Sequence, residues 1–201
     1  MSKKQFPGQF PDQNDQKAIP KITRIPYLKV FELNPTFKLS LAAMLLATSV
    51  VLGTFATIAT PYLKIGFRFL PIAIAGIILG PIYGAVIGGL TDILCFFTNN
   101  PTGEPYFPGF TISLIIVGLV YGLVFYKKDV TILKLVITKI GLDIFIEILL
   151  KSFWINIAYG APFVVILPTF IIESAIMLPI EVTLIYAVTL LTAKIPIKAH
   201  N

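Results

Sequence analysis

Two residue types on which enzyme sites often rest are almost missing from this 201-residue chain, which has one cysteine, Cys95, and one histidine, His200. A single cysteine excludes an intramolecular disulfide and a cysteine-based structural zinc site. A single histidine in the C-terminal tail excludes histidine-cluster metal sites and histidine-based catalysis. Charge is scarce as well: charged side chains make up 13% of the chain, about half of the roughly 25% usual in a soluble domain. No GxxxxGK[ST] phosphate loop occurs, so any ATP use must come from another subunit. What remains is apolar. Hydrophobic residues reach 56% and the mean hydropathy is +0.87, the mark of an integral membrane protein built from helices. The net charge of +6 and pI near 9.4 sit beside membrane segments, where they report topology, and nucleic acid is not expected as a partner.

Charge and apolar sequence are segregated. The first 38 residues hold seven of the sixteen Lys and Arg, while Leu39 to Ala193 is nearly continuous apolar sequence. The early part, with prolines at 7, 11, 20, 26 and 35, has no h-region or cleavage site and does not read as a signal peptide. Its first half is expected to be disordered, and Ile25 to Phe37 to lie along the membrane surface. About 20 apolar residues cross a bilayer, which predicts a first span over Leu39–Thr60 with an interfacial exit at Pro61–Lys64. Phe67 to Phe97, with Asp92 as its one acidic residue, is divided at Gly80-Pro81, because proline cannot continue the hydrogen-bond ladder. A polar loop, TNNPTGEPYFP, follows at 98–108, then a fourth span over Gly109–Tyr126. The fifth is expected from Val130 to about Phe153, then a loop around Asn156 to Pro162. The sixth, Phe163–Thr192, is expected to kink or start late at Pro168 and Pro179. The expected organisation is an arm at 1–37, a six-helix membrane domain at 38–193 and a tail at 194–201. Basic residues concentrate on the side of both termini, which places those in the cytoplasm and the TNNPTGEPYFP loop outside.

An ionisable group inside hydrocarbon is a functional hypothesis by default. Lys139, Asp143, Glu147 and Lys151 recur at four-residue spacing, one stripe in which opposite charges can pair at the ends. It reads either as a self-neutralising ladder that orients the helix or, at Lys151, as a ligand contact. Arg68, beside Phe67 and Phe69, offers a fork suited to a carboxylate or a flat ring, or else snorkels to the interface. Asp92 can accept from an amino-heterocycle edge or bond a neighbouring helix. The outer aromatics Phe96, Phe97, Tyr106, Phe107, Phe110, Phe153, Trp154, Tyr159 and Phe163 fit an interfacial belt equally well. Tyr106-Phe107-Pro108-Gly109-Phe110-Thr111, with a glycine that permits close backbone approach, suits a flat ligand at the outer mouth. Ala43 and Ala47 form a small-xxx-small face in the first span.

Several of these strings carry a resemblance. The small face Ala43/Ala47, the string FRFLPIAIAGIILGPIYGAVIGGLTD at 67–92 with Pro71, Gly76, Gly80, Pro81, Gly84, Gly88 and Asp92, and PYFPGFTIS at 105–113 resemble the substrate-binding S-component of an energy-coupling factor (ECF) vitamin transporter. PTGEPYFPGFT with the preceding FRF is most similar to the folate-specific branch. The resemblance implies a vitamin held near the outer face and docking through Ala43 and Ala47 onto a transmembrane coupling subunit that bears two ATP-binding cassette ATPases. It implies no cofactor of the chain's own and a place in the cell membrane, among membrane lipid. Leu167-Pro168 is followed by Thr169 to Glu173 and no basic residue, a departure from the family that leaves Arg68 and Lys151 as the expected partners of a ligand carboxylate.

The leading expectation is a vitamin-binding subunit without catalysis, the vitamin being folate or a related pterin. Its aromatic contacts are Tyr106, Phe107, Phe110 and Trp154. Polar contacts come from Thr111 and Asn156, acceptors for the ring edge from Asp92 or Glu173, and tail contacts from Arg68 and Lys151. An S-component for another flat vitamin, such as riboflavin or a thiamine precursor, is the alternative within transport. A stand-alone secondary transporter working through Asp143 and Glu147 lacks an inverted repeat, and a membrane enzyme lacks a nucleophile with a base.

Overall fold

The computed structural model describes residues 24–25, 34–59, 64–98, 105–160 and 162–194. Most of the predicted arm, residues 99–104 of the predicted outer loop with Glu104, and the tail beyond Lys194 lie outside them.

Helix α1 (Pro35–Phe55) begins a turn before the predicted span, with Pro35 at its first position, where the missing N–H costs nothing. It also ends earlier, because the chain turns into an unpredicted antiparallel hairpin, β2 (Thr57–Ala59) with β3 (Lys64–Gly66). α2 (Phe69–Leu79) and α3 (Pro81–Thr98) meet at the predicted break. Gly80 there has φ +111°, open to glycine, and its N–H donates back to the carbonyls of Ala75 and Gly76. α2 is buried at every position from Pro71 to Leu79. A helix apolar on all sides belongs in a core, and its length of about 16 Å reaches only halfway through hydrocarbon.

α4 (Pro108–Phe125) lies against α3 backbone to backbone. A Cβ on Gly118 would run into the Gly84 carbonyl, and one on Gly84 into that of Gly118. Gly118→Ala should therefore destabilise the protein by about 1–3 kcal/mol through overpacking, read as a lower melting temperature in detergent. A wild-type midpoint would show that the two helices can part without loss.

The fifth membrane segment is preceded by β4 (Val130–Thr131), which pairs with β1 (Arg24–Ile25), so Ile25 of the arm is tied to the loop before α5 (Ile132–Leu142). The helix then widens into a π-helical stretch, Asp143–Leu150, and resumes as α6 (Lys151–Tyr159). It ends at Gly160, whose φ of +66° supplies the left-handed residue that stops helices. The predicted loop is therefore shorter, and Asn156 lies on α6. α7 (Phe163–Lys194) is helical throughout, Pro168 and Pro179 included, and does not start late. Pro35–Phe55, Pro81–Thr98, Pro108–Phe125 and Ile166–Thr192 are long and apolar enough to cross a membrane. With α2 and the composite fifth helix they make the expected six-helix, multi-pass membrane bundle.

Candidate binding site

The starts of α2, α4 and α7 and the ends of α3 and α6 meet at one end of the antiparallel bundle, and most of the predicted site residues stand there. Arg68, at the entrance to α2, is placed by α1, since Ser49 Oγ donates to the Arg68 carbonyl at 3.1 Å. Its Nη1 donates to Asp92 Oδ1 of α3 at 3.2 Å. The other oxygen, Asp92 Oδ2, accepts from Thr111 Oγ1 of α4 at 2.7 Å. Tyr106 Oη lies 2.6 Å from the same Thr111 oxygen. Thr111 has one hydroxyl proton and spends it on the carboxylate, so the tyrosine must be the donor. Tyr106, Thr111, Asp92 and Arg68 thus form one directed hydrogen-bond chain across three helices.

An aromatic wall continues from it. Phe96 packs edge-on against Tyr106 at 5.2 Å between ring centres, and Phe107 meets Phe110 at 5.8 Å and Trp154 of α6 at 5.7 Å. Phe153 leans on Trp154 at 5.2 Å. A side chain at Gly109 would collide with both Phe107 and Trp154, which is why the rings can close over this backbone. Trp154 Nε1 is buried and has no hydrogen-bond partner among the described residues. A buried donor left open costs free energy unless something else accepts from it.

One turn back on α6, Lys151 Nζ is shared by Glu147 Oε2 at 3.0 Å and Glu173 Oε2 of α7 at 3.6 Å, and stands 4.5 Å above the centre of the Phe170 ring. The ladder pairs at both ends as its spacing implied, with Lys139 2.6 Å from Asp143. What the spacing did not show is that each lysine also reaches a carboxylate on α7, Glu173 here and Glu181 at the deeper end. Glu181, Phe170 and Ser49 were not singled out from sequence; the eight-residue interval between Glu173 and Glu181 was the available signal. Asn156 sits on α6 one turn beyond Ser152, on a helix and not in the expected loop. Ala43 and Ala47 are exposed on the face of α1 away from its buried Ala42 and Ser49.

A sequence model of the family described as ECF transporter, substrate-specific component, matches residues 37–189. The chain belongs to this family. Two curated relatives of this substrate-specific component are the folate transporter FolT of Clostridium novyi (strain NT) and that of Leuconostoc mesenteroides subsp. mesenteroides. The first is 31% identical over 144 residues, 72% of this chain and 83% of that protein; the second is 30% identical over 163 residues, 78% and 86%. Among solved structures, a crystal structure of FolT bound with folic acid aligns with a TM-score of 0.71 and 29% identity, over 77% of this chain and 93% of that one. A second, of the S component of a bacterial ECF transporter, has a TM-score of 0.57 and 22% identity over 77% and 96%, a likeness of fold.

Proposed function

We propose that this substrate-specific component binds folate. In this reading it docks through Ala43 and Ala47 onto a transmembrane coupling subunit with two ATP-binding cassette ATPases, in the cell membrane with both termini cytoplasmic. It has no catalysis and no cofactor of its own. The folate transporters it is similar to support the vitamin. The observation that carries the reading is the convergence, at one end of the bundle, of a guanidinium, an aromatic wall with an open indole donor, and a pair of buried carboxylates.

Charge divides the roles. Lys151 already faces two carboxylates, so its surroundings favour the donor-rich amino-pyrimidinone edge of a pterin over an anion, with Glu173 as acceptor. Arg68 uses one Nη on Asp92, and its side chain is 37% exposed, so the rest of its fork is available to the glutamate tail. Phe107, Phe110, Tyr106 and Trp154 flank the flat ring between them.

The deciding experiment is to purify the chain in detergent and identify what leaves with it on denaturation, by absorbance and mass spectrometry. A pterin is expected; a flavin or a thiamine precursor would move the chain to another vitamin. Trp154→Phe keeps a ring and removes the N–H. It should weaken both folate and a pterin lacking the glutamate by about tenfold, the cost of one hydrogen bond of about 1.4 kcal/mol. Calorimetry that finds no loss in Trp154→Phe would leave the indole as wall alone.

A further inference from the structure

Deeper in the bundle, outside the site just described, Lys139 Nζ lies 2.6 Å from Asp143 Oδ1 and 2.5 Å from Glu181 Oε2. The three residues are 6%, 3% and 7% exposed. Glu181 falls near the middle of the Ile166–Thr192 span. One ammonium thus faces two carboxylates in a buried setting, where a surplus charge is costly to solvate. A second observation bears on the same point: Asp143 Oδ2 is buried and accepts no hydrogen bond among the described residues.

Among the described residues, the surroundings supply no further positive charge to the triad. α4 contributes the fully buried Tyr121, and the π-helical stretch contributes Glu147, a further negative group; both act electrostatically on the triad. Lys151 acts on Asp143 from α6 but is itself claimed by Glu147 and Glu173. α2, which packs on α7, carries no ionisable side chain. β1 pairs the Arg24 backbone with Thr131, eight residues before Lys139 in the chain.

We propose that Lys139, Asp143 and Glu181 form a proton-binding site that holds one proton between the two acids. The proton comes from solvent and forms one O–H bond on a carboxyl oxygen, with no other bond made or broken. Lys139 is then paired with a single carboxylate, and the clasp between α5 and α7 is electrically neutral. The two acids are close enough through their shared lysine that the proton belongs to the pair.

The test is infrared spectroscopy of the purified full chain at neutral pH, with thermal unfolding alongside. Wild type should show a protonated-carboxyl C=O stretch that shifts in D2O and fades on alkaline titration, a readout that needs no variant. Asp143→Asn and Glu181→Gln should each lower that band by the same one-carboxyl component in wild-type-minus-variant spectra, because the remaining acid is then matched one to one with Lys139, whatever Glu147 and Glu173 add beside Lys151. Glu181→Gln mimics a neutral carboxyl and should move the melting temperature by less than about 4 °C, the equivalent of a minor packing change. Lys139→Gln strands two acids and should lower it by about 10 °C or more. A wild-type spectrum without the band, wild-type-minus-variant spectra that are flat in the carbonyl region, or a Glu181→Gln loss as large as that of Lys139→Gln would each overturn the proposal.

Discussion

Arg68→Ala should weaken folate binding by about thirty- to a thousandfold while leaving a pterin that lacks the glutamate almost untouched. The difference comes from the position of the guanidinium, held on one side by Asp92 and open on the other. Removing one partner of a charge-assisted pair in a poorly solvated pocket costs on the order of 2–4 kcal/mol. Arg68→Lys keeps the charge and the pairing with Asp92 but loses the planar fork, so it should fall between wild type and alanine. Calorimetric titration of the purified variants with both compounds is the check. Equal losses for the two ligands would place Arg68 at the ring or in the scaffold through Asp92. Glu173→Gln supplies the contrast, since an acceptor for the pterin edge should matter equally to both compounds.

The second large effect separates binding from transport. Ala43→Trp and Ala47→Trp should leave the titration with folate unchanged and reduce uptake in cells to background. Both alanines are exposed on the outer face of α1, so a bulky ring there disturbs nothing inside the bundle. It would hold apart helices that small residues let touch, and close contact is the main source of helix association in lipid. Uptake at the wild-type rate in either variant would remove this face from the docking assignment. Loss of folate binding by the isolated chain would show that α1 supports the site instead.

Much of the architecture was legible because single residues decide it. Gly80-Pro81 had to be a break, and it is one, since no other residue pair combines a permissive φ with a missing donor so effectively. Apolar run lengths placed the ends of α3, α4 and α7 within a residue or two. The β2–β3 pair was invisible because two strands of three residues each carry too few positions to show a period of two. The apolar run thins at the aromatic cluster around Phe153, which predicts a loop at Asn156, while the helix end is set by Gly160. In the site, the types of residue were readable and the pairings were not. Arg68 and Asp92 are 24 positions apart, and Lys151 and Glu173 stand on different helices. Nothing local in the sequence says that one basic residue will be shared between two acids.

The widened stretch in the fifth helix has an angular consequence. In uniform α-helix, four residues overshoot a full turn by about 40°, so charges at 139, 143, 147 and 151 would fan out over about 120°. Over Asp143–Leu150 each backbone hydrogen bond spans one residue more, and four residues fall short of a turn. The lead gained between Lys139 and Asp143 is handed back before Lys151, and both lysines come to address α7 from the same bearing. The stretch works as a phase corrector between the half clasped to α7 through Lys139 and the half that carries Lys151 and Trp154. Regular winding with every residue kept would carry Lys151 and Trp154 about 120° round the axis, whereas deleting one residue within the stretch would leave eleven regular steps after Lys139, about three whole turns, and so should nearly preserve their bearing. The aim of the binding end is therefore written in how the backbone is wound between the two lysines, as much as in which side chains it carries.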